Sequence, residues 1–217
     1  MKSFLVVGLG RFGMSLAREL YMLGHEVLGI DANEEIVYKC VDQMTHAVVG
    51  DAKDETVLRS IGVRNFDCAI VAVANDIQDS VLVTLMLKEM GVKEVVAKAQ
   101  SDLHKKVLER IGADRVVFPE HEMGLRLAQS LSASNVINFL ELSPDYGIAE
   151  IKPPREWTGK TLRDLDVRAK YGINILAARD AESELININP PADYSVKDIE
   201  ILVVVGNNDD VRTVTSL

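Results

Sequence analysis

The stretch from Ser3 to Asp31 constrains the fold more than any other part of the chain. It reads as an apolar strand, the glycine-rich turn Gly8-Leu9-Gly10-Arg11-Phe12-Gly13, an amphipathic helix over Arg11–Leu23 closed by Gly24, and a second strand, Glu26–Ile30, ending in Asp31. In such a βαβ unit the first glycine allows a sharp turn and the second lets the backbone approach a pyrophosphate. The third lets the helix pack against the sheet. A bound anion then sits at a helix N-terminus, where unpaired N–H groups and the helix dipole stabilise it. Asp31, 18 residues beyond Gly13, is placed to accept hydrogen bonds from ribose hydroxyls. A GxGxxG alone is a weak signal, but here the strand, the helix and the terminal acid all accompany it.

The alternation continues to residue 118. Short, β-branched apolar runs at Ser3–Val7, Glu26–Ile30, His46–Val49, Cys68–Ala74, Glu94–Ala97 and Arg115–Phe118 have the composition of buried parallel strands. Helical patterns separate them, among them Ser80–Met90 and Leu103–Ile111, each followed by a glycine. The predicted fold class is α/β, a Rossmann-like doubly wound sheet in the order 3-2-1-4-5-6, with a ligand at the switch point beside strand one.

After Pro119 the pattern changes. Met123–Leu131 and Val136–Leu142 read as a crossover helix–turn–helix, with Ser134 or Asn135 capping the second piece. Met123, Leu127, Leu131, Val136, Ile137 and Leu140 spread over more surface than one sheet edge could cover, which predicts a dimerising arm rather than an intrachain core helix. Pro144, Gly147 and Pro153-Pro154 lead into a small α+β module. Its predicted strands are Ile148–Ile151, Ile173–Ala178, Leu185–Ile188 and Ile201–Val205, with one helix over Leu162–Lys170 and turns at Asn189-Pro190-Pro191 and Asn207-Asn208. The predicted division is 1–120 for nucleotide binding, 121–143 for the crossover, and 144–217 for the C-terminal domain.

A net charge of −9 with no Lys/Arg cluster argues against nucleic acid as a partner. Cys40 and Cys68 lack metal or disulfide spacing and are expected to pack as small hydrophobes in a reducing compartment. No run of 18 apolar residues exists, so a cytoplasmic chain is expected.

Catalysis finds little support. His25 and His46 flank strands, His104 falls on a polar helix face, and His121 stands between Glu120 and Glu122 without a second histidine at metal spacing. No GxSxG, HExxH, CxxC or Walker lysine motif occurs. Arg11, inside the glycine loop, can reach a phosphate or remain a solvated arginine at a helix start. Asp51 in Gly50-Asp51-Ala52 falls at an adenine edge or caps a helix. Glu120, after Pro119, binds a cation beside a nucleotide phosphate or begins the next helix.

The glycine loop, Asp31, Gly50-Asp51-Ala52, Lys98-Ala99-Gln100, the run Lys106–Arg115 and Pro119-Glu120 resemble the RCK (regulator of potassium conductance) family. Asp166–Gly172 and Asn189-Pro190-Pro191 resemble its C-terminal domain, so the resemblance covers essentially the whole chain, and the single copy matches the Ktr type. It implies a gating subunit without turnover. ATP and ADP would bind the N-terminal domains and change the shape of an octameric ring, assembled from dimers joined through the crossover helices. The ring would sit beneath a membrane-embedded potassium-translocating subunit of Ktr or Trk type, on the inner face of the membrane. The implied nucleotide set is Gly8, Gly10, Arg11, Phe12, Gly13, Asp31, Asp51, Ala52, Ala74, Lys98 and Glu120. Within it Asp31 takes the ribose, Asp51 the adenine, Arg11 the terminal phosphate, and Glu120 a Mg²⁺ or Na⁺. Arg168, Asn174 and Pro190 match the places where the family binds cyclic di-AMP, although Arg163 stands where related chains carry an apolar residue. Two alternatives use the same fold: an NAD(H)-binding redox sensor of a Trk-type system, and an NAD(P)-dependent oxidoreductase.

Overall fold

The fold is taken from a computed structural model that describes residues 1–73, 76–132, 136–183 and 185–215, with only the backbone for residues 126, 129, 130, 132 and 136. The chain divides into two compact units, Met1–Glu120 and His121–Leu217. Among the described residues, no helix is long and apolar enough to cross a membrane.

The first unit is built on strands β1 (Ser3–Val7), β2 (Glu26–Asp31), β3 (His46–Val49), β4 (Cys68–Val71), β5 (Glu94–Lys98) and β6 (Arg115–Val117). Between them run helices α1 (Arg11–Met22), α2 (Glu34–Cys40), α3 (Glu55–Ser60), α4 (Ile77–Glu89) and α5 (Asp102–Arg110), and α6 (Pro119–Ser132) follows β6. All six strands are parallel, in the predicted order β3-β2-β1-β4-β5-β6. The continuous apolar runs are explained by a core on each face of the sheet. Leu5, Val7, Ile30, Ala69, Val71, Leu87 and Leu108 fill one, and Val6, Leu9, Ala17, Val27, Cys40 and Ile70 fill the other. Each fully buried large side chain contributes about 1.5–3 kcal/mol. Helix starts are marked by side-chain caps at Asn33, Asp54, Asp76 and Ser101, each worth about 1 kcal/mol. Cys40 and Cys68 are buried and unpaired, as expected, and burial pushes the Cys68 thiol up to about 12.

The second unit holds an antiparallel sheet of β7 (Val136–Glu141), β8 (Tyr146–Ile151), β9 (Asn174–Asp180), β10 (Ile186–Ile188) and β11 (Glu200–Asn207), in the order β10-β9-β11-β8-β7. Helices α7 (Leu162–Leu165), α8 (Val167–Tyr171) and α9 (Asn208–Thr215) belong to it too, as does α6 after its first two residues. Ile151, Trp157, Ile173, Leu202, Val204, Val211 and Val214 form its core.

Three local expectations are corrected here. The crossover does not resume as a second helix, because Val136–Glu141 is strand β7, hydrogen-bonded to β8. Tyr146 donates its N–H to the Ser143 carbonyl across a turn with Pro144 at its second position, and this hairpin overrides an apolar spacing that fits either period. The proposed caps Ser134 and Asn135 lie outside the described residues. The single helix expected over Leu162–Lys170 is broken at Asp166, whose φ of 43° is left-handed. Asn207-Asn208, read as a turn, instead ends β11 and begins α9, with the Asn207 side chain accepting from the Asp209 N–H.

Candidate functional site

The sheet order places β1 between β2 and β4, and a cavity of about 380 Å³ opens there at the carboxyl ends of the strands. This is the switch point at which open α/β sheets bind ligands. Its wall is contributed by the ends of β1 and β2 (Val7, Gly8, Ile30, Asp31), the loop after β3 (Gly50, Asp51, Ala52, Lys53), the loop after β4 (Ala72, Val73), and Asp79 and Val83 of α4.

The glycine loop is held by backbone bonds. Gly8 donates its N–H to the Ile30 carbonyl at 2.8 Å, and Ala72 donates to Val7 at 2.7 Å. Gly8 has φ +91°, a conformation that costs a non-glycine residue about 1–2 kcal/mol. A Cβ at Gly13 would lie 1.9 Å from the Gly8 carbonyl oxygen, so the helix can start beneath the turn only with glycine. A Cβ at Gly10 would meet nothing within 4 Å. Gly10 is also the N-cap of α1 and brings no side-chain bond to the helix end, which leaves the first N–H groups available to an anion. The loop fits a nucleotide phosphate.

Asp31 is fixed at both oxygens. Oδ2 accepts the Leu9 N–H and Oδ1 the Asn33 N–H, each at 2.8 Å. A carboxylate has about four acceptor positions, so both oxygens keep capacity for ribose hydroxyls. The Asp51 Oδ1 accepts the Lys53 N–H at 2.9 Å. The cap of α3 is Asp54, not Asp51.

The expected residues fall into separate groups. Gly8, Gly10, Asp31, Asp51 and Ala52 line the cavity. Arg11, Phe12, Lys98 and Glu120 belong to a second cluster, outside that lining. There the Lys98 ammonium is paired with the Glu120 carboxylate and lies 5.6 Å from the Phe12 ring centre. Lys98 holds the Glu120 carboxyl below its ordinary range, with a smaller contribution from Arg11. Arg11 is exposed and has no ion pair among the described residues. Ala74 lies outside the described residues. For the cation expected at Glu120, the chain brings one carboxylate that is already paired, and no group of three His, Cys, Asp or Glu side chains able to hold a metal exists among the described residues. A Mg²⁺ or Na⁺ centre is therefore not built by these residues alone.

In the second unit, Arg168 and Asn174 are exposed and Pro190 is buried. Their segments are tied together, since Gly172 donates to the Arg168 carbonyl and Asn189 to that of Leu176.

Two lining groups escaped the sequence reading, Lys53 and Asp79. They lie 26 residues apart, on separate elements, and join at 3.1 Å. His104 is a further correction. It is 1% exposed, and burial lowers its pKa below the ordinary histidine value.

Comparison with known proteins gives consistent matches. Residues 4–119 match the TrkA-N domain family and residues 148–217 the TrkA-C domain family. The chain is 45% identical over 211 residues to the Ktr system potassium uptake protein A of Bacillus subtilis (strain 168), covering 97% of this chain and 94% of that one. Among solved structures, the GsuK RCK domain superposes with a TM-score of 0.70 at 19% identity, over all of this chain and 48% of the other. The GsuK channel bound to NAD gives 0.67 at 19% identity, over 96% of this chain and 38% of that one. At such identities the structural likeness concerns the fold.

Proposed function

The chain belongs to the RCK family, with its TrkA-N and TrkA-C domains, and from that footing we propose that it is a nucleotide-sensing regulatory subunit of a membrane potassium transporter, without catalytic turnover of its own. It would work in the cytoplasm, held at the membrane by its transporter partner. The relative in Bacillus subtilis is a potassium uptake protein, which supports the transport role.

The observation that carries the ligand reading is the extent of the cavity. Its described lining comes from the β1 to β4 ends and the loops that follow them, with Ile36 of α2 and Asp79 and Val83 of α4, and nothing from β5 or β6. At the end of β5, where a second nucleoside would extend, Lys98 and Glu120 meet over Phe12. This favours an adenine mononucleotide, ATP or ADP, over NAD or NADH. Asp51 would accept from the adenine amine, Asp31 would hold the ribose, and the Gly8–Gly13 backbone the phosphates. Arg11, which has no ion pair among the described residues, would take the terminal phosphate. A ligand shifts an assembly between shapes only by the difference in its affinities for them. ATP and ADP differ at the phosphate that Arg11 would read, so that contact would supply the difference.

The assembly proposed is a homo-octameric ring of dimers. Met123, Leu127 and Leu131, four residues apart on one face of α6, are each more than half exposed in the single chain, and exposed apolar surface of this kind marks interfaces. A cation at Glu120, if one is used, would have to compete with Lys98. Cyclic di-AMP at Arg168, Asn174 and Pro190 would need a second copy to enclose it.

The experiment is competition of ATP, ADP, NAD⁺ and NADH for the purified protein, with and without Mg²⁺, while light scattering reports mass. Preference for ATP and ADP on an octamer supports the reading. Preference for NADH on a smaller assembly overturns it in favour of a redox sensor.

A further inference from the structure

The base end of the cavity carries an arrangement specific to three side chains. Lys53, in the loop after β3, reaches across to Asp79 on α4, with Nζ 3.1 Å from Oδ2. The same Nζ is 3.9 Å from the Asp51 Oδ2, outside hydrogen-bond reach. All three line the cavity, and Lys53 is its one basic group among the described residues. The pair thus joins the β3 side of the cleft to the β4 side.

Each of these groups has one kind of hydrogen bond to offer. An ionised carboxylate only accepts and an ammonium only donates. Adenine presents an exocyclic amine where guanine presents a carbonyl oxygen. A base end ruled by carboxylates therefore accepts an amine and repels a carbonyl, while a free ammonium would do the reverse. Asp79 keeps the ammonium engaged. Among the described residues the Asp51 Oδ2 accepts no hydrogen bond, and Lys53 lies closer to Asp79 than to Asp51.

We propose that Asp79 is a specificity-determining residue at the base end: by holding the Lys53 ammonium it withholds that donor from a guanine carbonyl and leaves Asp51 to accept the adenine amine, so that the site selects adenine over guanine. This rests on the adenine-nucleotide reading above and deepens it. Asp79 acts through Lys53 and need not touch the base itself.

The test is calorimetric binding of ADP and GDP to the full chain as wild type, Asp79→Asn, and Asp79→Asn with Lys53→Met, with circular dichroism to establish that each is folded. The wild type is expected to prefer ADP. Asp79→Asn should lower the ADP:GDP affinity ratio by about tenfold, the scale of one hydrogen bond to a charged group at a partly exposed position, chiefly through tighter GDP binding. Removing the ammonium as well should restore the wild-type ratio, which a merely structural role for Asp79 would not do. The proposal is overturned if the wild type does not discriminate, if Asp79→Asn leaves the ratio unchanged, or if the double variant keeps the lowered ratio. Failure of the wild type to bind either nucleotide instead overturns the adenine-nucleotide reading on which the proposal stands.

Discussion

The Lys98 side chain at the end of β5 is 8% exposed, and its ammonium is neutralised by Glu120, which is 65% exposed in the first turn of α6. A buried cation thus depends on an anion that water can reach. Removing one partner of a fully buried pair costs about 3–5 kcal/mol, and exposure of the carboxylate reduces that.

Glu120→Gln is accordingly expected to lower stability by about 1–2 kcal/mol, measured by urea denaturation at pH 7. The pH dependence has a definite sign. The Glu120 carboxyl titrates lower in the fold than the ordinary value of 4.5, mainly through its hydrogen bond to Lys98. Its contribution is present above the unfolded-state value and is lost as pH falls through the folded one. Wild type and variant should therefore draw together in stability as pH falls below about 4.5. A constant gap down to pH 3 would mean that the pair contributes nothing as an ion pair.

Gly13→Ala should be among the most damaging single changes in the first unit. Its Cβ would stand 1.9 Å from the Gly8 carbonyl oxygen, and that carbonyl is backbone within a turn fixed on both sides by hydrogen bonds. A loss of about 3 kcal/mol or more is expected, together with loss of nucleotide binding. Gly10→Ala meets no neighbour within 4 Å and should leave stability nearly intact while weakening nucleotide affinity. Chemical denaturation paired with calorimetry separates the two effects.

Arg11→Ala is expected to weaken ATP by about tenfold, the scale of a lost charge-assisted hydrogen bond, and ADP by clearly less. Titration of each nucleotide into wild type and variant measures this. Equal weakening of both would remove Arg11 from any part in telling them apart.

His104 supplies an acid sensitivity of a different kind. Burial holds its pKa below 6.5, and its Nδ1 accepts the Gln100 N–H at 3.3 Å. The unfolded chain takes up this proton first, so stability is full above about pH 6.5 and is lost as pH falls below it, by at most about 1.4 kcal/mol per pH unit. Thermal unfolding between pH 7.5 and 5 should show this slope in the wild type. His104→Leu should flatten it, even if the variant is less stable throughout.

Much of the first unit was legible because its signals are local. Gly8, Gly10 and Gly13 at fixed spacing, β-branched runs of strand length, and a carboxylate at the end of the second strand each declare themselves within a few residues. Handedness and connectivity rules then leave few sheet orders to choose from. His104 was misread because its helix is strongly polar overall, whereas His104 lies four residues before Leu108 on the face that is buried. Val136–Glu141 was misread because its apolar spacing suits a helix or a strand.

By itself, then, the sequence determined the doubly wound sheet, the switch-point site with Asp31 beside the glycine loop, and the presence of a small second unit. Tertiary structure alone decided that β7 pairs with β8, that Lys98 and Glu120 neutralise each other, and that Lys53 crosses the cleft to Asp79. The reason is physical. Backbone preference and hydrophobic period act between near neighbours along the chain, whereas these pairings join residues 22 and 26 positions apart, or depend on a hairpin partner. They exist only once separate elements have been brought side by side.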